Sequence, residues 1–252
     1  LLSVPLNSVV TLAHGTTVAT NALIQRKGGT VAVITTRGFR DLLEIGRQVR
    51  PRMYDMHADY PEPLAKRQHR FEITERIGPD GAVLTALAEN ELAGIVEALK
   101  LIDAQACAVC LLFAYINPDH ERRIGKYLRE RMPRLAISLG SEVQPEFREY
   151  ERFSTTLLNA YLQPVLDHYM AHLQRELKRG LPLARVGINQ SSGGLMSIEQ
   201  ARAFPIRTAL SGPAAGVGGA IYMAKLSNRP ETITLDMGGT SADVALVRNF
   251  EV

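Results

Sequence analysis

The first half of the chain alternates between short apolar runs and apolar stripes at helical spacing. The runs, together with one alternating segment, predict strands at 9–13, 31–35, 70–76, 106–115 and 135–139. The stripes predict helices at 18–26, around 42–45, at 89–101 and from 117 onward. Strands that alternate with helices are typical of an α/β fold.

A long helix opens the second half of the chain. Residues 149–179 contain no glycine, one proline and apolar residues at helical spacing, so we predict a single helix that Pro164 could kink. Beyond it, the pattern predicts a strand at 185–189, a helix at 197–203, a strand at 206–210, a helix at 213–225 and a hairpin at 232–247. This succession favours mixed sheets covered by helices.

The chain length fits one or two domains. Its 252 residues exceed the roughly 100 to 200 of a usual domain, and we place a boundary near residue 145, which gives the regions 1–144 and 145–252. With 46% apolar and 22% charged residues, the composition excludes a disordered, collagen-like or coiled-coil chain. The chain begins at Leu1 and stops at Val252 inside a strand-like run, so we expect both ends to be cut.

Charge and hydropathy exclude two classes of partner. The net charge of +3 is spread without a block of one sign, so we expect no nucleic acid partner. The longest apolar run, residues 106–116, is shorter than the about 18 residues that a membrane span needs, so we expect no membrane partner. No secretory signal pattern opens the chain, and the expected location is cytoplasmic.

Residues 236–244, DMGGTSADV, form the most specific chemical pattern. The pair Gly238–Gly239 lets backbone N–H groups approach an anion, and the hydroxyls of Thr240 and Ser241 add donors, so this turn can hold a phosphate. The carboxylate of Asp236 can hold a metal-bound water or orient an attacking water. The alternative is an ordinary Gly-Gly hairpin turn with acids on the surface.

A run of small residues lies just upstream of this turn. The sequence LSGPAAGVGGA at 210–220 places Pro213 in the first turn of a helix, and small side chains, including Gly212 and Gly216, follow. Another backbone or helix can approach such a face closely. Close helix packing without a ligand is the alternative.

In their order and separation, these two segments resemble the actin-like ATPase superfamily. A closer resemblance, to the hydantoinase/oxoprolinase family, runs through segments at 14–24, 35–48, 110–121, 141–162, 190–197, 207–220 and 236–246. It implies an actin-like (RNase H-like) ATPase fold, incomplete here, in which residues 236–244 are the second phosphate loop and 212–220 the connecting helix at the hinge. The family includes N-methylhydantoinase A subunits, 5-oxoprolinases, and acetone and acetophenone carboxylase subunits.

The chain departs from the family pattern in three places. No D-x-G-G-T-F-T-D loop precedes His14, so region 1–144 is expected to be the family's N-terminal region without its first phosphate loop. Region 145–252 is expected to be the beginning of the hydantoinase A domain, without the adenosine-binding segment. Ala242 stands where the family usually has threonine. We therefore expect this chain alone to bind ATP weakly and to be inactive.

Two polar loops follow predicted strands, where ligand sites of α/β sheets collect. The first loop contains His14, Thr16 and Thr17, and its imidazole can donate to a phosphate or to a substrate carbonyl. The second loop contains Ser191, Ser192 and Gly193, and it can bind an anionic intermediate. The alternatives are a structural hydrogen bond from the imidazole to the backbone and a simple loop.

The resemblance implies an ATP-dependent hydrolase that opens a cyclic amide of the hydantoin or 5-oxoproline type by phosphate activation of the ring carbonyl. Asp236 and His14 are then the catalytic residues, and Asp236 also holds Mg²⁺ through water. Phosphate contacts are expected from Thr16, Thr17, Gly212, Gly216, Gly238, Gly239, Thr240, Ser241 and Asp243. Substrate contacts are expected from Ser191, Ser192 and Gly193.

The implied partners are a small cyclic amide, a B-type partner subunit and further copies of the chain in a homo-oligomer. Two alternatives stay open. An ATP-dependent ketone carboxylase subunit would use the same ATP site on an enolate or bicarbonate. A nucleotide-regulated, chaperone-like binding module would clamp a partner and turn over no metabolite.

Three further groups have plainer interpretations. Cys107 and Cys110 lie in an apolar run without a second pair, which favours core packing over a redox or zinc site. Residues His168 and His172 are four apart without a HExxH pattern, which favours a solvated helix face. A basic group could bind an acidic substrate or form an exposed loop, and it comprises Arg47, Arg50 and Arg52.

Overall fold

The computed structural model describes residues 8–49, 52–55, 57–58, 61–237 and 242–252. The strands in these ranges are β1 (Thr11–His14), β2 (Val31–Thr36), β3 (Arg70–Ile73), β4 (Arg76–Ile77), β5 (Val83–Thr85), β6 (Ala106–Cys110), β7 (Ala136–Leu139), β8 (Arg185–Asn189), β9 (Leu195–Met196), β10 (Thr232–Met237) and β11 (Ala242–Val247). The α-helices are α1 (Val18–Ile24), α2 (Leu42–Ile45), α3 (Leu92–Leu101), α4 (Asp119–Arg131), α5 (Gly140–Val143), α6 (Glu149–Gly180), α7 (Ile198–Ala203) and α8 (Ser211–Leu226). The predicted α/β class with mixed sheets is confirmed.

Contacts divide the chain into two compact units. The central unit runs from Arg26 to Val165. The terminal unit combines the described residues up to Gln25 with those from Leu166 onward.

A four-stranded parallel sheet, in the order β3-β2-β6-β7, forms the middle of the central unit. All six residues of β2 and all five of β6 are buried, as expected of strands covered on both faces. Helix α3 contributes the buried apolar stripe that its spacing predicts, and α4 packs on β6 and β7. The apolar core of this unit therefore lies on the sheet.

Strand β6 is shorter than predicted, because it ends at Cys110 rather than at residue 115. The N–H of Leu111 donates to Glu121 Oε1 at 2.9 Å, and the carbonyl of Leu111 accepts from Arg152 Nη2 at 3.0 Å. Both backbone groups are thus bonded to side chains and are unavailable to a neighbouring strand. Phe113, with φ +56°, then turns the chain away from the sheet.

The predicted long helix is confirmed as α6, which contains Pro164 in its interior. Proline lacks the N–H that a helix interior needs, so the carbonyl of Ala160, four residues earlier, has no such N–H to accept from. The carbonyl of the next residue, Tyr161, accepts from the N–H of Gly29 at 3.1 Å. A Cβ on Gly28 would lie only 2.2 Å from Cε1 of the Tyr161 ring, so the pair Gly28–Gly29 packs tightly against the helix.

The terminal unit contains two small sheets. In the first, β1 pairs parallel with β8, and the short β9 pairs antiparallel with β8. In the second, β10 and β11 form the predicted hairpin, with Asp236 opposite Asp243. Helix α7 begins with a capping box, in which Ser197 and Gln200 bond each other's backbone N–H groups.

The predicted strand at 206–210 is wrong. Residues Pro205–Thr208 form a turn of 3₁₀-helix. The Thr208 hydroxyl donates to the Pro205 carbonyl at 2.7 Å, and the Ala209 N–H donates to the Ile206 carbonyl at 3.1 Å. These local bonds outweigh the β-branched composition of the segment.

Among the described residues, no helix combines the length and the apolar character that crossing a membrane would require.

Candidate functional site

The carboxyl ends of β1 and β8 lie side by side in the terminal unit. Because the strands are parallel, with His14 opposite Ile188, the loops that follow them leave the sheet at the same edge. Gly15 in the first loop faces Asn189, the last residue of β8 before the second loop, since a Cβ on Gly15 would lie 3.4 Å from Asn189 Nδ2. The structure thus brings together the two loops that the sequence predicts as ligand sites.

The half-buried His14 bonds to a side chain that sequence reasoning missed. Its Nε2 lies 2.8 Å from the hydroxyl oxygen of Tyr169, which projects from α6. The two rings are stacked, with centroids 6.0 Å apart and planes inclined by 29°. Burial lowers the pKa of His14 below its ordinary value of 6.5, so the imidazole is neutral at pH 7.

The two threonines of the first loop use their hydroxyls to begin α1. Thr16 Oγ1 accepts from the Val18 N–H at 3.2 Å, and Thr17 Oγ1 accepts from Asn21 Nδ2 at 3.4 Å. Thr16 is buried, and its carbonyl accepts from the Ser211 hydroxyl at 3.4 Å. Each threonine hydroxyl is the acceptor in these bonds, so its O–H can still donate to a phosphate oxygen. The carbonyl contact ties the loop to the start of α8.

The second loop is a tight, exposed turn. The N–H of Ser191 donates to the Arg207 carbonyl at 2.8 Å, and the N–H of Gly193 donates to the Gln190 carbonyl at 3.1 Å. Gly193 and Gly194 both have positive φ, which favours glycine at these two positions. The N–H groups of Ser191 and Gly193 are already bonded to these carbonyls. The turn therefore offers an anion the hydroxyls of Ser191 and Ser192 rather than these two amides.

Helix α8 begins beside the first loop. Its N-cap residue, Leu210, has φ +59°, and the Leu210 N–H donates to Thr20 Oγ1 at 3.0 Å. Space is open around Gly212, where an added Cβ would meet nothing within 4 Å. Gly216 faces the hairpin, since a Cβ there would lie 3.8 Å from Asp236 Oδ2. Helix α8 therefore contacts the first loop at its start, through Ser211, and lies beside Asp236 at Gly216.

Asp236 and Asp243 occupy directly opposed positions on the hairpin, and both are exposed. The turn residues between them that were predicted to bind phosphate lie outside the described residues: Gly238, Gly239, Thr240 and Ser241. A groove of about 600 Å³ lies between α8 and the hairpin, and its lining includes Pro213, Gly216 and both aspartates. Small side chains on α8 keep this groove open.

This pair of acids fits a divalent cation. Like charges directly opposite each other on a strand pair are unfavourable, and a bound cation removes that repulsion. Mg²⁺ prefers oxygen ligands and usually takes one or two carboxylates together with water and phosphate oxygens. Within the described ranges, no cluster of three or more His, Cys, Asp or Glu side chains could hold a metal. A cation at Asp236 and Asp243 would therefore need water or phosphate oxygens as its remaining ligands.

The plainer interpretations of the other groups can now be compared with the structure. Burial raises the pKa of Cys107 to about 12 and that of Cys110 well above its ordinary value, so both thiols belong to the core, as predicted. Arg47 Nε donates to Glu151 Oε1 at 2.7 Å, and this ion pair balances the charge of the guanidinium. Arg52 lies 3.7 Å from Asp55, and Arg50 lies outside the described residues.

A buried polar cluster in the central unit was also missed. It lies at the carboxyl ends of the parallel strands and comprises Thr36, Glu75, His120, Glu121 and Arg152. His120 Nδ1 lies 2.8 Å from Glu75 Oε2, and the Thr36 hydroxyl donates to the other oxygen of the same carboxylate. In the sequence, this cluster is indicated only by the pair of ionisable residues His120–Glu121, at the start of a helix that follows a buried strand.

The sequence matches two family models, described as the hydantoinase/oxoprolinase N-terminal region over residues 3–132 and as hydantoinase/oxoprolinase over residues 152–252. The chain belongs to the hydantoinase/oxoprolinase family. It is 35% identical over 237 residues to the caprolactamase subunit alpha of Pseudomonas jessenii, covering 92% of this chain and 34% of the relative. It is 34% identical over 262 residues to 5-oxoprolinase 1 of Arabidopsis thaliana, covering 96% of this chain and 20% of the relative.

Two solved structures of this family's fold are similar to the chain. The crystal structure of ATP-dependent caprolactamase from Pseudomonas jessenii aligns with a TM-score of 0.84 and 33% identity, covering 96% of this chain and 35% of that one. The nucleotide-free structure of acetone carboxylase aligns with a TM-score of 0.85 and 25% identity, covering 98% and 36%. The expected hydantoinase, actin-like fold is confirmed. The chain spans about a third of the length of these two solved chains.

Proposed function

We propose that the protein is an ATP-dependent hydrolase that opens a small cyclic amide. The observation that carries the proposal is the similarity of nearly the whole chain to the caprolactamase subunit alpha and to 5-oxoprolinase 1, whose names both describe opening of a cyclic amide. The terminal unit supports it through the groove beside Asp236 and Asp243.

The reaction follows from the stability of an amide. An unstrained ring amide is a poor electrophile, so the γ-phosphoryl group of ATP is first transferred to the carbonyl oxygen, forming one O–P bond and breaking the bond to ADP. Water then attacks the activated carbon, and the C–N bond of the tetrahedral intermediate breaks as nitrogen takes up a proton, which leaves an acyl phosphate. A second water attacks the acyl carbon, and inorganic phosphate leaves with the former carbonyl oxygen. The products are the ring-opened acid, ADP and phosphate.

The hairpin would hold the phosphates. Gly238, Gly239, Thr240 and Ser241 would donate to phosphate oxygens, and Asp236 and Asp243 would hold Mg²⁺ through water. When bound, Mg²⁺ would neutralise charge on the transferring phosphoryl group. The open faces at Gly212 and Gly216 leave room for the nucleotide. The first loop, with His14, Thr16 and Thr17, would complete the site, and Ser191, Ser192 and Gly193 would contact the substrate.

The activity would need more than this chain. Because the chain covers about a third of its relatives, we propose that it acts within a longer protein, together with a B-type partner subunit and as part of a homo-oligomer. The domain division near residue 145 also stays a proposal. We propose a cytoplasmic location, where the unpaired thiols of Cys107 and Cys110 would stay reduced.

The test is ATP hydrolysis by the full-length protein with its partner subunit, in the presence and absence of hydantoin, 5-oxoproline or caprolactam. We expect one of these amides to stimulate ATP hydrolysis, and we expect Asp236→Asn to lower the stimulated rate at least a hundredfold. The matched control is Asp80→Asn, a turn substitution in the central unit that keeps the oxygen accepting from the Ala82 N–H. Stimulation by none of these amides would overturn the proposal.

A second candidate is an ATP-dependent ketone carboxylase subunit. The observation that favours it is the TM-score of 0.85 against acetone carboxylase, which equals the fit to caprolactamase within 0.01. The same ATP site would then activate a ketone enolate or bicarbonate. ATP hydrolysis that acetone or acetophenone with bicarbonate stimulates, and that no cyclic amide stimulates, would favour the carboxylase.

A further inference from the structure

The contact between His14 and Tyr169 joins residues 155 positions apart in the sequence. Tyr169 lies in the middle of α6, whose first and last residues are Glu149 and Gly180, so a helix rather than a loop sets its position. The stacked rings and the 2.8 Å separation of His14 Nε2 from the phenol oxygen fix the imidazole by one nitrogen and one face. Among the hydrogen bonds of the described residues, none involves His14 Nδ1.

The chemistry of the two groups decides which nitrogen carries the proton. Burial lowers the pKa of His14, so the ring is neutral at pH 7 and holds a single proton. A phenol is a better donor than acceptor, because its ring withdraws the oxygen lone pair, and an unprotonated imidazole nitrogen is a good acceptor. The favoured arrangement therefore has the Tyr169 O–H donating to Nε2, which leaves the imidazole proton on Nδ1.

The other polar residue at this strand end, Asn189, lies on the opposite face of the sheet. The register pairs His14 with Ile188, and successive side chains of a strand point to opposite faces. The Asn189 amide accordingly lies beside Gly15, 3.4 Å from the place that a Cβ there would occupy. The Nδ1–H of His14 is therefore the donor on its own face. A neutral donor suits a ligand oxygen that is partly charged, such as an amide carbonyl.

We propose that Tyr169 is a positioning residue that holds His14 as its Nδ1–H tautomer, and that His14 Nδ1 donates to an acceptor oxygen of the substrate. This role of the pair rests on the proposed function, in which that oxygen is the ring carbonyl that receives phosphate. The tautomer itself does not depend on any turnover. The two parts can therefore fail separately.

The tautomer is measured by nuclear magnetic resonance on protein with isotope-labelled histidine, with the His14 signals assigned from a His14→Gln sample. We expect the wild type to have its proton on Nδ1, and we expect Tyr169→Phe to shift His14 to a mixture of tautomers. The matched control is Tyr222→Phe, which removes the hydroxyl of an exposed tyrosine on α8 and should leave the His14 spectrum unchanged. A proton on Nε2 in the wild type would overturn the assignment, even if Tyr169→Phe fails to fold.

The ligand is tested in the same spectra with two probes, hydantoin and inorganic phosphate. We expect hydantoin to move the His14 Nδ1 signal and phosphate to leave it in place, because the site is assigned to a carbonyl oxygen. Movement by phosphate alone would replace the carbonyl with a phosphate oxygen and overturn that assignment.

In the full-length protein, Tyr169→Phe should lower kcat about tenfold with little change in KM. Unaltered turnover beside a shifted tautomer would refute the positioning role and leave the proposed function standing.

Discussion

Glu121 is a fully buried acid of the central unit, and its pKa is strongly raised. Its carboxylate accepts from the Leu111 N–H at 2.9 Å and from the Ser141 N–H at 2.8 Å, and it feels the charge of the buried Arg152. Burial is the largest effect and raises the pKa of Glu121 from 4.5 to about 7, against those favourable contacts. One side chain thus joins the ends of β6 and β7 to the start of α4.

This raised pKa predicts a pH dependence of stability. Between about pH 4.5 and 7 the folded protein keeps the Glu121 proton and the unfolded chain releases it, so this contribution is complete below pH 4.5 and is lost as pH rises through 7. The loss amounts to about 3 kcal/mol in the free energy of unfolding.

The variant Glu121→Gln tests this dependence. Its side chain cannot ionise, and we expect urea unfolding of this variant to depend less on pH across that window. Glu97→Gln, an exposed change on α3, is the control. Parallel pH profiles of Glu121→Gln and the wild type would contradict the account.

The contact between Gly28 and Tyr161 predicts a second effect at the scale of one residue. A Cβ at position 28 would lie 2.2 Å from the Tyr161 ring, so Gly28→Ala must displace the ring or the helix that bears it. We expect a destabilisation of roughly 2 kcal/mol or more in chemical denaturation. Gly94→Ala is the matched change, because a Cβ on Gly94 in α3 would meet nothing within 4 Å. It should be neutral or stabilise by up to about 1 kcal/mol. Equal effects of the two substitutions would count against the packing described.

At the scale of elements, the groove between α8 and the hairpin is the candidate phosphate site. Asp236 of the hairpin faces Gly216 of the helix, since a Cβ on Gly216 would lie 3.8 Å from Asp236 Oδ2. The groove is lined by apolar residues of the hairpin and by four polar ones, Thr232, Thr234, Asp236 and Asp243. A phosphate in this groove would use the polar ones.

This pairing predicts that the groove beside α8 is sensitive to side-chain size. Gly216→Leu fills space next to Asp236, so we expect at least a tenfold loss of amide-stimulated ATP hydrolysis with the fold retained, since leucine favours helix over glycine. Gly219→Leu adds the same side chain to the same helix where a Cβ meets nothing within 4 Å. Its activity should stay near that of the wild type. A similar loss in both variants would mean that the groove is not the site.

The sequence predicted elements well where the hydrophobic pattern is local. Strand β8, helix α6 and the hairpin lie at or within one residue of the predicted ends, apart from the turn of the hairpin, which lies outside the described residues. The two errors, the length of β6 and the strand at 206–210, arise where side chains hydrogen-bond to backbone groups. Glu121 and Arg152 do so after β6, and Thr208 bonds to Pro205. Hydrophobic periodicity carries no information about such bonds.

The candidate site could be predicted only in part for a related reason. Motif spacing identified both loops, Asp236 and the small residues of α8, because each lies in one short segment. The contact of Tyr169 with His14 could not be found, since it depends on α6 returning to β1. Tyr169 in the sequence is one apolar position among many in a long helical stripe.

At the scale of the whole molecule, the chain covers about a third of the length of its solved relatives. The two family models leave residues 133–151 between them, whereas the compact units divide after Gln25 and after Val165. The family regions thus do not coincide with the compact units, because α1 and β1 pack with the second half of the chain. A ligand site at the ends of β1 and β8 therefore draws on both family regions.

The central claim is that phosphate is transferred to the ring carbonyl oxygen, and the fate of that oxygen tests it most directly. The full-length protein with its partner subunit would be given ATP and the stimulating cyclic amide carrying a heavy-oxygen label at the ring carbonyl, and inorganic phosphate would be examined by mass spectrometry. We predict that the label appears in phosphate, in an amount equal to the amide opened. Ring opening with unlabelled phosphate, and with all the label kept in the new carboxylate, would contradict the account.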